Sequence, residues 1–373
     1  SNVPVLTRLW YFWGNHFTIS DKDFLKKYTT GAYHRETIRP NLNQTFEKML
    51  YDATTSWAMI LHLDNSDNTG PKSQSANEAW RRKKNKPATI NENHARELLE
   101  LHTVSPNAGY TQEDIIQLAY IMTGWRYKWN KTSLETGNVW FRPDRHQPGK
   151  KIVFNKEYKS GRKGLSLVIK DLANHPSCRE FIATKLCRHF ITDNPTKEMI
   201  KPIVTAWEKS DGFLPEVHKA AIKVVFEHQS KHNKFQLPEN WFLQMAKMAD
   251  MDWPASEEVM DTYILGTKPF DNHRRSEWTM EELGHSPYNS KQPNGWPDNQ
   301  ADWLSPELLI RRLILAKKSW FYLKKNKRNL ETYEKIVSNN FDKPETILDL
   351  LSKKDQLQDK HTLLFNSPEM LKA

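Results

Sequence analysis

Apolar side chains recur at intervals of three and four residues along most of this chain, and that spacing is the signature of helices packed on a core. Leu6, Leu9, Trp10, Trp13 and Phe17 form one such stripe. The run from Asn91 to Thr103 forms a second, with Ala95, Leu98, Leu99 and His102 on its apolar side. Glu92–Arg96 and Arg96–Glu100 stand one turn apart there, placed to support the helix as ion pairs. Further helices are expected at about 162–173, 176–190, 197–209, 215–229, 239–250 and 256–265. Ser20-Asp21-Lys22-Asp23 reads as a capped helix start, and Pro306 sits where a proline opens a helix. Pro40 predicts a break or kink, and the polar stretch from Asp64 to Ala88 predicts a long loop.

The helical spacing fails from Trp125 to Tyr158. Asn138-Val139-Trp140-Phe141 and Ile152-Val153-Phe154 alternate instead, which predicts a small β-hairpin near residues 138–154. Residues 284–305, rich in Pro, Gly and Trp, read as an ordered irregular loop. The fold class is therefore mainly α: a single globular multi-helix array spanning 1–373, with a small β-hairpin insertion and a sub-boundary near 125–160.

Composition supports a packed core despite only 38% hydrophobic residues, because 14 Trp, 16 Phe and 12 Tyr bury much area per side chain. The net charge of +10 suits an anionic polymer as partner, or simply a basic soluble protein. The basic runs Arg81-Arg82-Lys83-Lys84 and Lys324-Lys325-Asn326-Lys327-Arg328 carry no nucleic-acid motif, so no specific nucleic-acid partner is expected. No apolar run reaches transmembrane length. Cys178 and Cys187 fall on one expected helix, roughly 13 Å apart by its rise, too far for a disulfide.

Several residues are candidates for chemistry. His16 and His102 both lie on apolar stripes, where a histidine is either a hydrogen-bonded core residue or a group aimed into a polar hole. Asn93, Glu97 and Glu100 line one side of a helix, either a solvated face or a carboxylate-rich cleft wall. Arg35 and Arg39, one turn apart, repel unless they meet carboxylates or an anion. One central network joining Arg35, Arg39 and Arg96 to Asp64, Glu92, Glu97 or Glu100 is the expectation. The loop Phe141–Lys150 carries His146 and Lys150. A metal set of His16, His102 and Asp64 or Glu36 is geometrically open, but a metal-free polar core is the reading adopted, and the cofactor is left unknown.

In order along the chain, Trp13-Gly14-Asn15-His16-Phe17, Tyr33-His34-Arg35-Glu36-Thr37-Ile38-Arg39-Pro40, Leu63-Asp64-Asn65-Ser66 and the string Asn91-Glu92-Asn93-His94-Ala95-Arg96-Glu97-Leu98-Leu99-Glu100-Leu101-His102-Thr103 resemble a bacterial family catalogued as domain of unknown function 1800. Gly109-Tyr110-Thr111-Gln112, Thr123-Gly124-Trp125, Pro293-Asn294-Gly295-Trp296-Pro297, Trp303-Leu304-Ser305-Pro306 and Ser367-Pro368-Glu369 extend the resemblance over almost the whole chain. It departs where the family's loop reads His-Asp and this chain has His146-Gln147, and where His285 replaces the usual Gln.

The resemblance implies a protein of the periplasm or exterior, since members often carry an export signal and are encoded beside sulfatase-like exported proteins. Ser1-Asn2 reads as a tag remnant, consistent with a removed leader. The expected activity is hydrolysis of an extracytoplasmic glycan or other anionic polymer. His16, Glu97, His102 and His146 are the catalytic candidates, and Arg35, Arg39, Asp64, Asn91, Arg96 and Lys150 the substrate-binding ones. The alternative is a non-catalytic binding protein that works with a sulfatase-like partner.

Overall fold

The computed structural model describes residues 4–20, 24–81, 90–128, 137–228, 234–251, 276–286, 290, 292–323, 328–341 and 343–372. The expected cap at Asp21–Asp23, the helix at 256–265 and most of both basic runs lie outside them. The chain is mainly helical, and it forms two compact units: Ser1–Phe190 with Asn194–His228 and Tyr288–Gly295, and Ile191–Asp193 with Gln229–Pro287 and Trp296–Ala373.

The first unit is built on α1 (Pro4–His16), α2 (Phe24–Tyr33), α3 (Arg39–Asn41), α4 (Phe46–Thr54), α5 (Trp57–His62), α6 (Gln74–Arg81), α7 (Asn93–Glu97), α8 (Gln112–Met122), α9 (Lys163–Ala173), α10 (Pro176–Phe190), α11 (Lys197–Lys209) and α12 (Leu214–Glu227). Of the expected stripe, Leu9, Trp13 and Phe17 are buried, Trp10 is half-buried and Leu6 is exposed; the rings of Trp13 and Phe17 pack on Phe46, which in turn meets Trp207. The indole N–H of Trp13 donates to His218 Nε2 at 2.8 Å, so its one polar atom is satisfied inside the core. Both cysteines are buried free thiols, and burial raises their pKa, that of Cys187 to about 12.

Local structure departs from the sequence reading in three places. The interruption at Pro40 is a π-turn, His34–Ile38, between α2 and α3. A proline ring clashes with the carbonyl four residues back, and the wider turn accommodates it without ending the helical path. The polar stretch after Asp64 is not all loop, because it contains α6, whose start is capped by Ser73 Oγ accepting from Ala76 N at 3.2 Å.

The two alternating runs do not pair with each other. Residues Val139–Phe141 (β2) pair antiparallel with Trp125–Tyr127 (β1), and Lys151–Val153 (β3) pairs with Lys156–Tyr158 (β4). Phe154 and Asn155 both have positive φ, 50° and 59°, which makes the β3–β4 connection a two-residue turn of the kind that closes hairpins. Asp114 Oδ1 accepts from Phe154 N at 2.8 Å and ties that turn to the start of α8.

The second unit comprises α13 (Pro238–Met248), α14 (Ser276–Glu282), α15 (Pro306–Ser319), α16 (Leu330–Asn340), α17 (Pro344–Ser352), α18 (Leu357–Phe365) and α19 (Pro368–Leu371). Trp241, Met245, Tyr333, Val337, Leu364 and Phe365 form its core. His361 is buried there with both ring nitrogens occupied, one near Ser319 Oγ and one near Tyr333 Oη. His285 is buried between the rings of Trp296 and Trp303. None of the described helices is long and apolar enough to cross a membrane.

Candidate functional site

The Asn-Glu-Asn string is placed by a lattice of asparagine amides. Asn65 and Asn68, both buried, donate to the carbonyls of Met122, Trp125 and Ala119 and so fix the Asn65–Asp67 turn against the end of α8. Asn68 Oδ1 then accepts from Asn91 N at 3.1 Å, while Asn91 Nδ2 donates to the Asp64 carbonyl at 3.2 Å. Asn91 Oδ1 accepts from Asn93 N at 3.0 Å, and Asn93 Nδ2 donates to the Leu63 carbonyl. Each amide satisfies backbone that would otherwise be orphaned, which is why this segment needs asparagines. Asp64 itself sits at φ 56°, a left-handed conformation that short polar side chains tolerate.

Beside this lattice opens a pocket of about 460 Å³, lined by Asp67, Ile90, Asn91, Glu92, Asn93 and Arg96. The ion pairs expected along the helix are formed: Arg96 donates to Glu92 at 2.6 Å and to Glu100 at 3.2 Å. Gln112, from the first turn of α8, accepts from Arg96 at 2.9 Å and donates to Glu92 at 2.7 Å, closing a ring of charge-assisted hydrogen bonds. The bond to Glu92 raises the pKa of Arg96.

Glu97 follows Arg96 and lies one turn beyond Asn93. Its pKa is raised, first by burial and then by the neighbouring Glu100, with Arg96 acting against both. Tyr110, hydrogen-bonded to Glu100, is pushed up to about 12, first by burial.

The other face of the same segment is dry. The helix continues past Glu97 as a π-turn, Leu98–His102, closed by Thr103 Oγ1 donating to the Leu98 carbonyl at 2.6 Å. His16 and His102 do converge, as their stripes suggested, with ring centroids 6.1 Å apart and both residues 2% exposed. His16 Nε2 donates to the His102 carbonyl at 3.2 Å, so its Nδ1 is the acceptor facing Lys185 Nζ at 3.0 Å. Burial drives the pKa of both histidines well below 6.5, aided at each by the charge of Lys185.

Two further histidines belong to this cluster. His94 is fully buried, neither ring nitrogen has a hydrogen-bond partner among the described residues, and its pKa falls to about 3 through burial and then His62. His94 is not among the residues the sequence singles out, although it lies one turn before Leu98 and eight residues before His102. His62, at the end of α5, accepts from Ser20 N through Nδ1 at 3.3 Å.

The remaining candidates lie elsewhere. Arg35 pairs with Glu36 at 3.2 Å on the surface, and Arg39 is exposed with its guanidinium 5.6 Å from the Trp10 ring. The single network joining Arg35, Arg39 and Arg96 is therefore not formed. Each arginine found a partner next to it in sequence or on the adjacent helix, which costs less ordering than a shared core site. Asp64 is exposed near the pocket and meets Asn91 through its backbone carbonyl. Lys150 pairs with Glu157 at 2.8 Å on the surface.

His146 is buried in a structural knot. Its Nδ1 donates to the Thr123 carbonyl at 2.9 Å, and its Nε2 accepts from Gly161 N at 3.0 Å. Burial lowers its pKa to about 4. Lys151, 1% exposed, donates to Gln147 O and to Ser160 Oγ, and burial lowers its pKa to about 8. Gln147 uses its side-chain oxygen to accept from Lys72 N at 3.0 Å.

A family model described as "Protein of unknown function (DUF1800)" matches residues 1–372. The chain belongs to that family. No curated protein and no solved structure matches it. Among the segments that carried the resemblance, Trp13–Phe17, Leu63–Ser66 and Asn91–Thr103 supply parts of the asparagine lattice, the pocket and the histidine core.

Proposed function

We propose that this DUF1800 protein is an exported hydrolase that binds a glycan chain in the pocket beside Asn91–Arg96 and cleaves it with Glu97 as proton donor. The observation that carries the reading is the half-buried Glu97, whose pKa burial raises, one helical turn beyond the pocket-lining Asn93 and next to the pocket-lining Arg96. A carboxylic acid with a raised pKa is what leaving-group protonation needs near neutral pH. Asp67, exposed and lining the same pocket, is the carboxylate for activating water. The amides of Asn91 and Asn93, with Glu92 and Arg96, offer the mixed donors and acceptors that sugar hydroxyls require. In this reading Asp64 and Asn91 shape the rim, while His16, His102 and His146 hold the helix and the loop from beneath. The periplasmic or secreted location rests on the export signals common in the family.

The test is turnover of a panel of bacterial and plant polysaccharides, read as new reducing ends. Glu97→Gln should lower that turnover about 10²-fold or more with an unchanged circular dichroism spectrum. Equal rates for both proteins would remove Glu97 from the chemistry. Saturable glycan binding with no turnover would favour the second reading, a non-catalytic protein serving a sulfatase-like partner. The observation on that side is the closed ring of Arg96, Glu92 and Gln112, with Glu100 also on Arg96, which engages these polar groups with one another.

A further inference from the structure

A group of arginines next to the pocket has more positive charge than its surroundings balance. Arg126 lies on β1, directly across the strand pair from Trp140. Arg142 follows β2, and Arg145 ends the short helical turn Pro143–Arg145. Backbone hydrogen bonds pull these segments over the turn that carries Asp67. Arg142 N donates to Gly124 O at 2.8 Å, Gly124 N to Asn68 O at 3.4 Å, and Gly70 N to Arg145 O at 2.9 Å.

Arg142 is neutralised by a two-pronged contact with Asp144, at 3.0 and 2.6 Å, and lies over the Trp140 ring. Among the described residues, Arg126 and Arg145 have no such partner of their own. Among the described residues, the side chain of Arg145 reaches the Thr69 hydroxyl, at 3.5 Å, and its Nε is buried without a hydrogen bond. Arg126 buries Nη1 without a hydrogen bond. The acid beside Arg126 is Asp67, while Arg145 and Arg142 both repel it. Two guanidiniums against one carboxylate leave about one uncompensated positive charge, half-buried, with donors to spare. Charged groups in that position are ordinarily paired.

We propose that Arg126 and Arg145 form an oxyanion subsite that binds a carboxylate, sulfate or phosphate group. Guanidiniums supply the forked donors that such groups accept. Asp67 lines the pocket, and its charge acts on Arg126, so the subsite neighbours the pocket. If the pocket takes a glycan, as proposed above, the favoured substrate carries an acidic substituent. That extension rests on the glycan reading; the anion site itself does not.

The test measures thermal stabilisation and calorimetric binding by inorganic sulfate and phosphate, with chloride at matched ionic strength as control. The wild-type protein should show saturable stabilisation by sulfate or phosphate beyond chloride. The double variant Arg126→Gln/Arg145→Gln should lose it at least tenfold, and Glu97→Gln should keep it. Because the double variant removes two partly buried side chains, Asp67→Asn provides an independent arm: removing the competing carboxylate should tighten anion binding several-fold. A second set compares a uronic-acid oligosaccharide with its methyl ester. Preference for the acid places the anion on the polymer; equal binding of both, with sulfate still bound, assigns the subsite to a free ion. No saturable effect of any anion, or an effect that survives both Arg→Gln changes, overturns the proposal. Retained anion binding with no glycan turnover would sink the hydrolase reading and leave the subsite standing.

Discussion

The helix running from Asn93 through the π-turn at His102 has two faces, and both carry titratable groups. On the outer face Glu92, Arg96 and Glu100 are part-exposed, paired in a ring and charged. On the inner face His94 and His102, joined by His16, are buried with pKa values pushed far below the ordinary histidine range. The outer ring keeps its charge because partners and solvent replace what the helix removes. The inner cluster loses its charge because burial outweighs any available partner; for His94 no partner exists among the described residues. Environment, not residue type, thus decides which side of this helix exchanges protons. Glu97 is intermediate, half-buried between the two regimes.

The largest expected effect separates the faces by pH. For His94 the folded pKa is about 3 against an ordinary 6.5. The unfolded chain therefore binds more protons than the folded one between those values. Stability contributed by keeping the ring neutral is complete above 6.5 and is lost as pH falls through that window. The slope is about 1.4 kcal/mol per pH unit for each such histidine. With His16 and His102 shifted in the same direction, lowering the pH from 7 to 4.5 should cost several kcal/mol and lower Tm steeply. A Tm that stays flat across that range would mean the cluster is charged or hydrated in the folded protein.

A smaller effect compares one substitution on each face. His94→Leu replaces two unsatisfied nitrogens with a side chain of similar volume, so it should stabilise by about 1–3 kcal/mol and make the acid transition shallower. Arg96→Ala breaks helix pairs that are partly solvated, and should cost about 1 kcal/mol with little pH dependence. Chemical denaturation at pH 7 and 5 measures both. A loss of stability in His94→Leu would show that its ring nitrogens are bonded.

Much of this contrast is visible in the sequence. The apolar stripes place His16 and His102 inside, and the i, i+4 spacing of Glu92, Arg96 and Glu100 gives the outer pairs. The π-turns at His34–Ile38 and Leu98–His102 are not, because an i→i+5 hydrogen bond adds one residue to a turn without any characteristic residue type. That hidden residue shifts which side chains share a face beyond Glu97. The roles of Asn65 and Asn68 escape for a different reason. Their partners, Met122, Trp125, Ala119 and Asn91, are distant in sequence, and periodicity reports only neighbours along one element. The strand runs were recognisable, but Phe154-Asn155 is an unusual pair for a tight turn, so the partners of β2 and β3 were not.

The smallest effect tests whether the outer charges depend on one another at all. Arg39 was expected to share a buried network, and losing a buried ion partner costs about 3–5 kcal/mol. The structure instead leaves Arg39 exposed over Trp10, at 5.6 Å from the ring. An exposed cation–π contact contributes about 0.5–1 kcal/mol, so Arg39→Ala should lose no more than that. Arg39→Lys should keep part of it, since an ammonium is attracted to the same ring face. Combined with Arg96→Ala the two losses should simply add, because no contact joins the sites. A double-variant loss that exceeds the sum by more than about 0.5 kcal/mol would reveal coupling between Arg39 and the Arg96 ring, and would restore the single network that the spacing of the arginines suggested.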